Sequence, residues 1–98
     1  MANPLSEAEV GQRLAATPGW ERHGDEIRKT FVFKHFVQAM AFVNQVAEEA
    51  EAAAHHPDIL ITWNKVRLSL TTHDAGRLTE KDFALAAAAD RRARKVAS

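Results

Sequence analysis

His55 and His56 stand side by side in the stretch EAAAHHPDIL, residues 51–60, against Pro57 and at the end of an alanine-rich run. Imidazole titrates near neutral pH, so such residues are the commonest general acids and bases. Glu51 lies four positions before His55, one helical turn away. At that spacing a carboxylate can reach the ring and fix its tautomer. The plainer alternative is that two protonated rings simply complement the unpaired carbonyls of a helix C-terminus. His73 shifts that balance. It lies at the end of a predicted strand, on a polar face shared with Arg67, Ser69 and Thr71. The connection from His55 to His73 reads as a hairpin, which returns the strand end towards the helix terminus. Three imidazoles can then converge on one mouth of a sheet. Acid/base work suits them better than zinc, because neighbouring histidines rarely direct both nitrogens at one ion and no i, i+4 histidine pair exists.

Other chemistries find less support. The chain has no cysteine, which removes disulfides, thiolate metal sites and a thiol nucleophile. Its four glycines form no phosphate-cradling loop. Ser69 has no base and orienting partner in view. Trp63 could stack on a flat heterocycle or fill core space. The run Ala84–Ala89, broken by Leu85, reads equally as helix propensity or as a close-packing face for a partner helix. Thirteen basic and thirteen acidic residues cancel, so no bulk attraction to nucleic acid or anionic membrane is expected. Arg91, Arg92, Arg94 and Lys95 form a local basic tip. No apolar stretch approaches the ~18 residues a membrane span needs, and no signal peptide is visible. A cytoplasmic protein is expected.

The elements that must position the histidines follow from periodicity. Residues 1–98 suffice for a single domain, and a chain this long buries roughly two-thirds of its unfolded surface, so association would help it. Ser6, followed by Glu7 and Glu9, predicts a capped first helix ended by Thr17, Pro18 and Gly19. Residues 20–23 and 26–34 predict a hairpin turning at Gly24–Asp25, with Ile27, Lys29, Phe31 and Phe33 on one face. Val37 to Ala54 carries apolar residues at three- and four-residue steps, a helix that Pro57 forbids to continue. Residues 59–63 and 65–73 predict a second hairpin about Asn64, with Val66, Leu68 and Leu70 pointing inward. Thr79 and Asp82 predict a capping box for a last helix from Glu80 to about Val96. The order α-β-β-α-β-β-α implies an α+β fold: a four-stranded antiparallel sheet with three helices on one face and a polar face left open.

Glu51, His55-His56-Pro57, Trp63, His73 and Asp82, set within WNKVRLSLTTHDAG and LTEKDFALA and preceded by FVFKHFVQAMAFVNQVA, resemble the pterin-4a-carbinolamine dehydratases over nearly the whole chain. The resemblance implies removal of water from a 4a-hydroxytetrahydropterin to give the quinonoid dihydropterin, which recycles the cofactor of aromatic amino acid hydroxylases. It implies a catalytic set of His55, His56 and His73, with His55 and His73 as acid and base and His56 mainly holding the pterin. Glu51 would orient His55, and Thr71, Thr72 and Asp74 would line the pterin edge. Trp63 would join the substrate-binding set, and Asp82 would support the site from the final helix. No metal and no cofactor are implied, since the pterin is the substrate. A homodimer or homotetramer is implied, without direct nucleic-acid or membrane contact. The rival role is that of relatives that lost the enzyme and act as assembly factors for a carbon-fixing enzyme. Relatives often have a small residue where this chain has Arg77, and some have a thiol near Ala75.

Overall fold

The computed structural model describes residues 3–97, and its elements follow the expected order. Helix α1 spans Glu7–Ala15. Ser6 starts it with a full capping box: its hydroxyl accepts from the Glu9 amide at 3.2 Å, and the Glu9 carboxylate accepts from the Ser6 amide at 2.9 Å. Strands β1 (Glu21–His23) and β2 (Glu26–Val32) form the first hairpin, and β3 (Asp58–Thr62) and β4 (Lys65–Leu70) the second. Helix α2 (Phe36–Ala53) joins the hairpins, and α3 (Glu80–Ala97) closes the chain. The sheet is antiparallel throughout in the order β1-β2-β4-β3.

Alternation decides which face is covered. Ile27, Phe31, Val66, Leu68 and Leu70 are buried on one face. They meet Phe42, Val46 and Ala50 of α2 and Phe83, Leu85, Ala86 and Ala89 of α3 in one core. Phe42 packs between Phe31 and Phe33, with ring centroids 4.7 and 5.0 Å away. Lys29 shares the inward face, and its ammonium is met there by Asp90 of α3 at 2.8 Å. Register places Arg28 beside Ser69, Thr30 beside Arg67 and Leu60 beside Arg67 on the open face.

Five strand boundaries differ from expectation: β2 stops at Val32, β3 runs Asp58–Thr62, and the start of β1 and the end of β4 also move. Trp20 precedes β1 rather than opening it, because its indole is buried in the core and donates to Asp90 at 3.1 Å. Strand β4 stops at Leu70 and does not reach His73. Beyond it the Thr71 hydroxyl donates to the Asp25 carbonyl, Thr72 turns inward, and His73–Ala75 form a 3-10 turn.

Candidate active site

The end of α2 sets where two of the histidines point. Ala54 leaves the helix in the left-handed region, at φ 51° and ψ 41°. The His55 amide donates back to the Ala50 carbonyl at 3.0 Å and the Ala54 amide to Glu51 at 3.2 Å, the hydrogen-bond pattern of a Schellman turn. That turn sends two adjacent rings in opposite directions. His55 is buried, while the His56 side chain is 63% exposed.

His55 meets Asp82, not Glu51. Its Nε2 lies 2.6 Å from Asp82 Oδ1, and the Asp82 side chain is wholly buried. As a carboxylate Asp82 only accepts, so Nε2 carries a proton and Nδ1 is the nitrogen left to exchange one. Among the described residues Nδ1 has no hydrogen-bond partner, yet it is not an enclosed atom, so it opens to the surface. Glu51 pairs instead with His56 Nε2. The expected orientation of His55 by Glu51 is therefore corrected. The αL turn carries His55 under the helix end and leaves the exposed face of α2 to Glu51 and His56.

Asp82 is the centre of the site's architecture. Its second oxygen accepts from the Thr72 hydroxyl at 2.8 Å and from the Thr79 amide at 2.9 Å. Thr72 and Thr79 exchange a further hydroxyl bond at 2.7 Å. One buried carboxylate thus ties the segment carrying His55 and His56 to the segment carrying His73, and both to the start of α3. Within the network His55 Nε2, both Asp82 oxygens and both threonine hydroxyls each have a partner, as buried polar groups require. The Thr79-x-x-Asp82 spacing announces a helix cap, and it gives no sign that the same carboxylate holds His55 or that Thr79 also bonds Thr72.

The remaining expected site residues divide into three groups. His73 and Asp74 are exposed on the 3-10 turn, beside the network and free to face a ligand. Thr72 and Asp82 are buried, with their side chains bonded within the network. Thr71 is half-buried and bonded to Asp25. Trp63 lies elsewhere. It is the first residue of the two-residue β3–β4 turn, 69% exposed and at φ 54°. The full length of β3, five residues, separates that turn from the His55–Asp58 end. Within one copy of the chain Trp63 is thus not brought to the histidines, because a hairpin puts its turn opposite its ends. Among the described residues no cluster of histidine, cysteine and carboxylate side chains is arranged to hold a metal ion.

The chain is similar to known proteins in both sequence and structure. The family model described as pterin 4 alpha carbinolamine dehydratase matches residues 3–92. A protein of Roseiflexus sp. strain RS-1, provisionally named pterin-4-alpha-carbinolamine dehydratase, is 61% identical over 90 residues, covering 92% of this chain and 97% of its own length. One of Chloroflexus aurantiacus, with the same provisional name, is 62% identical over 86 residues, 88% of this chain and 92% of that one. The crystal structure of a transcriptional coactivator/pterin dehydratase from Brucella melitensis superposes with a TM-score of 0.86 at 34% identity, covering 98% of this chain and 100% of that one. A pterin dehydratase-like protein identified as a RuBisCO assembly factor in the alpha-carboxysome superposes with a TM-score of 0.66 at 28% identity, covering 76% and 89%.

Proposed function

For a chain that belongs to the pterin 4 alpha carbinolamine dehydratase family, we propose dehydration of 4a-hydroxytetrahydropterin to quinonoid dihydropterin and water, in cytoplasmic pterin recycling. The C4a hydroxyl must leave with a proton, and a ring nitrogen must lose one. One acid and one base satisfy both demands. His55 and His73 are the proposed pair. His55 offers the open Nδ1 of a ring whose other nitrogen is fixed by buried Asp82. His73 approaches from the neighbouring turn. His56, with Glu51 behind it, and exposed Asp74 hold the pterin edge. The observation that carries this reading is the Asp82 junction, which binds His55 and Thr72 to one carboxylate and so brings the histidine-bearing segments side by side.

A homodimer or homotetramer is proposed with it. Strand β3 is a sheet edge with all five residues exposed, Ile59, Leu60 and Ile61 among them, and such an edge invites pairing. A catalytically silent assembly role is the second reading, favoured by that same apolar edge and by the assembly factor among the structural relatives.

The test is ultraviolet absorbance of freshly generated 4a-carbinolamine pterin with the protein added. Acceleration by the wild-type chain, reduced about 10²–10⁴-fold in His73→Ala, is the expected result. A folded wild-type oligomer without acceleration would leave the assembly role standing.

A further inference from the structure

His73 sits in a turn that is tied down on more than one side. The backbone of Thr72 bridges that of Arg77, closing the loop at its base. Inside, the Ala75 and Gly76 amides donate to the Thr72 carbonyl at 3.1 and 3.0 Å, and Gly76 takes φ 70° to complete the turn. The Thr72 side chain fixes one stem to Asp82. Arg77, the other stem, reaches away from the core. Its Nη2 donates to Glu7 Oε2 on α1 at 3.1 Å.

Glu7 has a second arginine. Arg22 of β1 grips both its oxygens, at 3.1 Å to Oε1 and 2.9 Å to Oε2, and its Nε donates to the Gly24 carbonyl at 2.8 Å. The fork of Arg22 fits a carboxylate in two places, which fixes Glu7 more firmly than a single contact does. Gly24 belongs to the same β1–β2 turn whose Asp25 carbonyl accepts from Thr71. The loop bearing His73 is therefore roped to one surface patch from both of its flanks, through Thr71 at its start and Arg77 at its end. Neither link reaches the buried network.

We infer that Glu7, held by Arg22 and joined to Arg77, is a positioning residue that sets the His73 turn against the rest of the site. Its kinetic consequence rests on the dehydratase reading above; its structural consequence does not. Glu7 touches no substrate. It acts by narrowing the range of turn positions, so that His73 stands at a fixed distance from His55. Loss of this tie affects the turn and spares the core, because the Asp82 network remains.

The experiment is a double-mutant cycle on the full chain with Glu7→Gln, Arg77→Gln and both together, with Arg77→Lys as the conservative control. Amide hydrogen exchange at Ala75 and Gly76 is expected to quicken about 3–10-fold in either single variant, with exchange in α2 unchanged. The double variant should be no faster than Glu7→Gln alone, since both single variants remove the Glu7–Arg77 pair. The dehydration kcat should fall by about the same 3–10-fold with KM little altered, and Arg77→Lys should recover part of the loss. Unchanged exchange at both amides, or additive effects in the double variant, would overturn the inference. Should the wild-type chain fail to dehydrate the pterin, the proposed function falls, and the exchange cycle alone still decides for or against the tie.

Discussion

Two histidine–carboxylate pairs start from adjacent residues, His55 and His56, and they differ in almost everything except chemistry. His55 and Asp82 meet 2.6 Å apart with side chains 9% and 0% exposed. His56 and Glu51 meet with side chains 63% and 77% exposed. The first pair joins elements far apart in sequence, and the second joins neighbours on one helix end. A buried pair that also satisfies two threonines cannot lose a member without orphaning the others. An exposed pair can, because water replaces either partner. One pair therefore builds the site, and the other adjusts its surface.

The largest test of that contrast is Asp82→Ala. It removes the acceptor for His55, Thr72 and the Thr79 amide at once. A loss of about 3–5 kcal/mol is expected, because three buried donors lose their acceptor at about 1–3 kcal/mol each. In a domain of this size each kcal/mol moves Tm by roughly 4–8 °C. Urea unfolding followed by circular dichroism would measure it. A loss under about 1 kcal/mol would mean that the network is effectively solvated and that the contrast between the pairs is false.

A smaller change probes the hinge between the two rings. Ala54 adopts the left-handed conformation in which a Cβ is strained, at a cost of roughly 1–2 kcal/mol. Glycine relieves that strain but brings about 0.5–1 kcal/mol of extra chain entropy to lose on folding. Ala54→Gly should therefore stabilise the protein by about 0.5–1 kcal/mol, read as a higher urea midpoint at constant slope. Destabilisation instead would show that the αL turn is not what parts His55 from His56.

Much of this was legible in the sequence because it is periodic. Alternation along Val66, Leu68 and Leu70 and the three- and four-residue steps of α2 fix the layers, and Ser6 with Glu9 and Pro57 mark element ends. The partnership of His55 was not legible, because Glu51 at four residues is a good helical neighbour only while the helix continues. It ends at Ala53, and an alanine in the αL state gives no warning that glycine would have given. Asp82, 27 residues further on, becomes the partner through tertiary packing alone. Trp63 is a related case: its type suggests a ring-stacking role, and its position in the hairpin puts it at the far end of β3 from the histidines of the same chain. The Glu7 tie combines residues from α1, β1 and the His73 loop, and no local pattern announces it.

The exposed pair supplies the finest test. Glu51→Gln keeps the shape and a hydrogen-bonding oxygen, and removes only the charge beside His56. Since both groups are solvated, the stability change should lie within about 0.5 kcal/mol, the range of exposed ion pairs. Thermal unfolding at low and high salt should then give nearly equal Tm values for variant and wild type. If His56 holds the pterin, the variant should raise the dehydration KM by a few-fold, about 2–5, with kcat little changed, because ground-state and transition-state binding weaken together. A turnover rate lowered by about a hundredfold or more would instead make His56 a proton-transfer residue in its own right, comparable with His73, and would move the acid/base work from the buried pair to the exposed one.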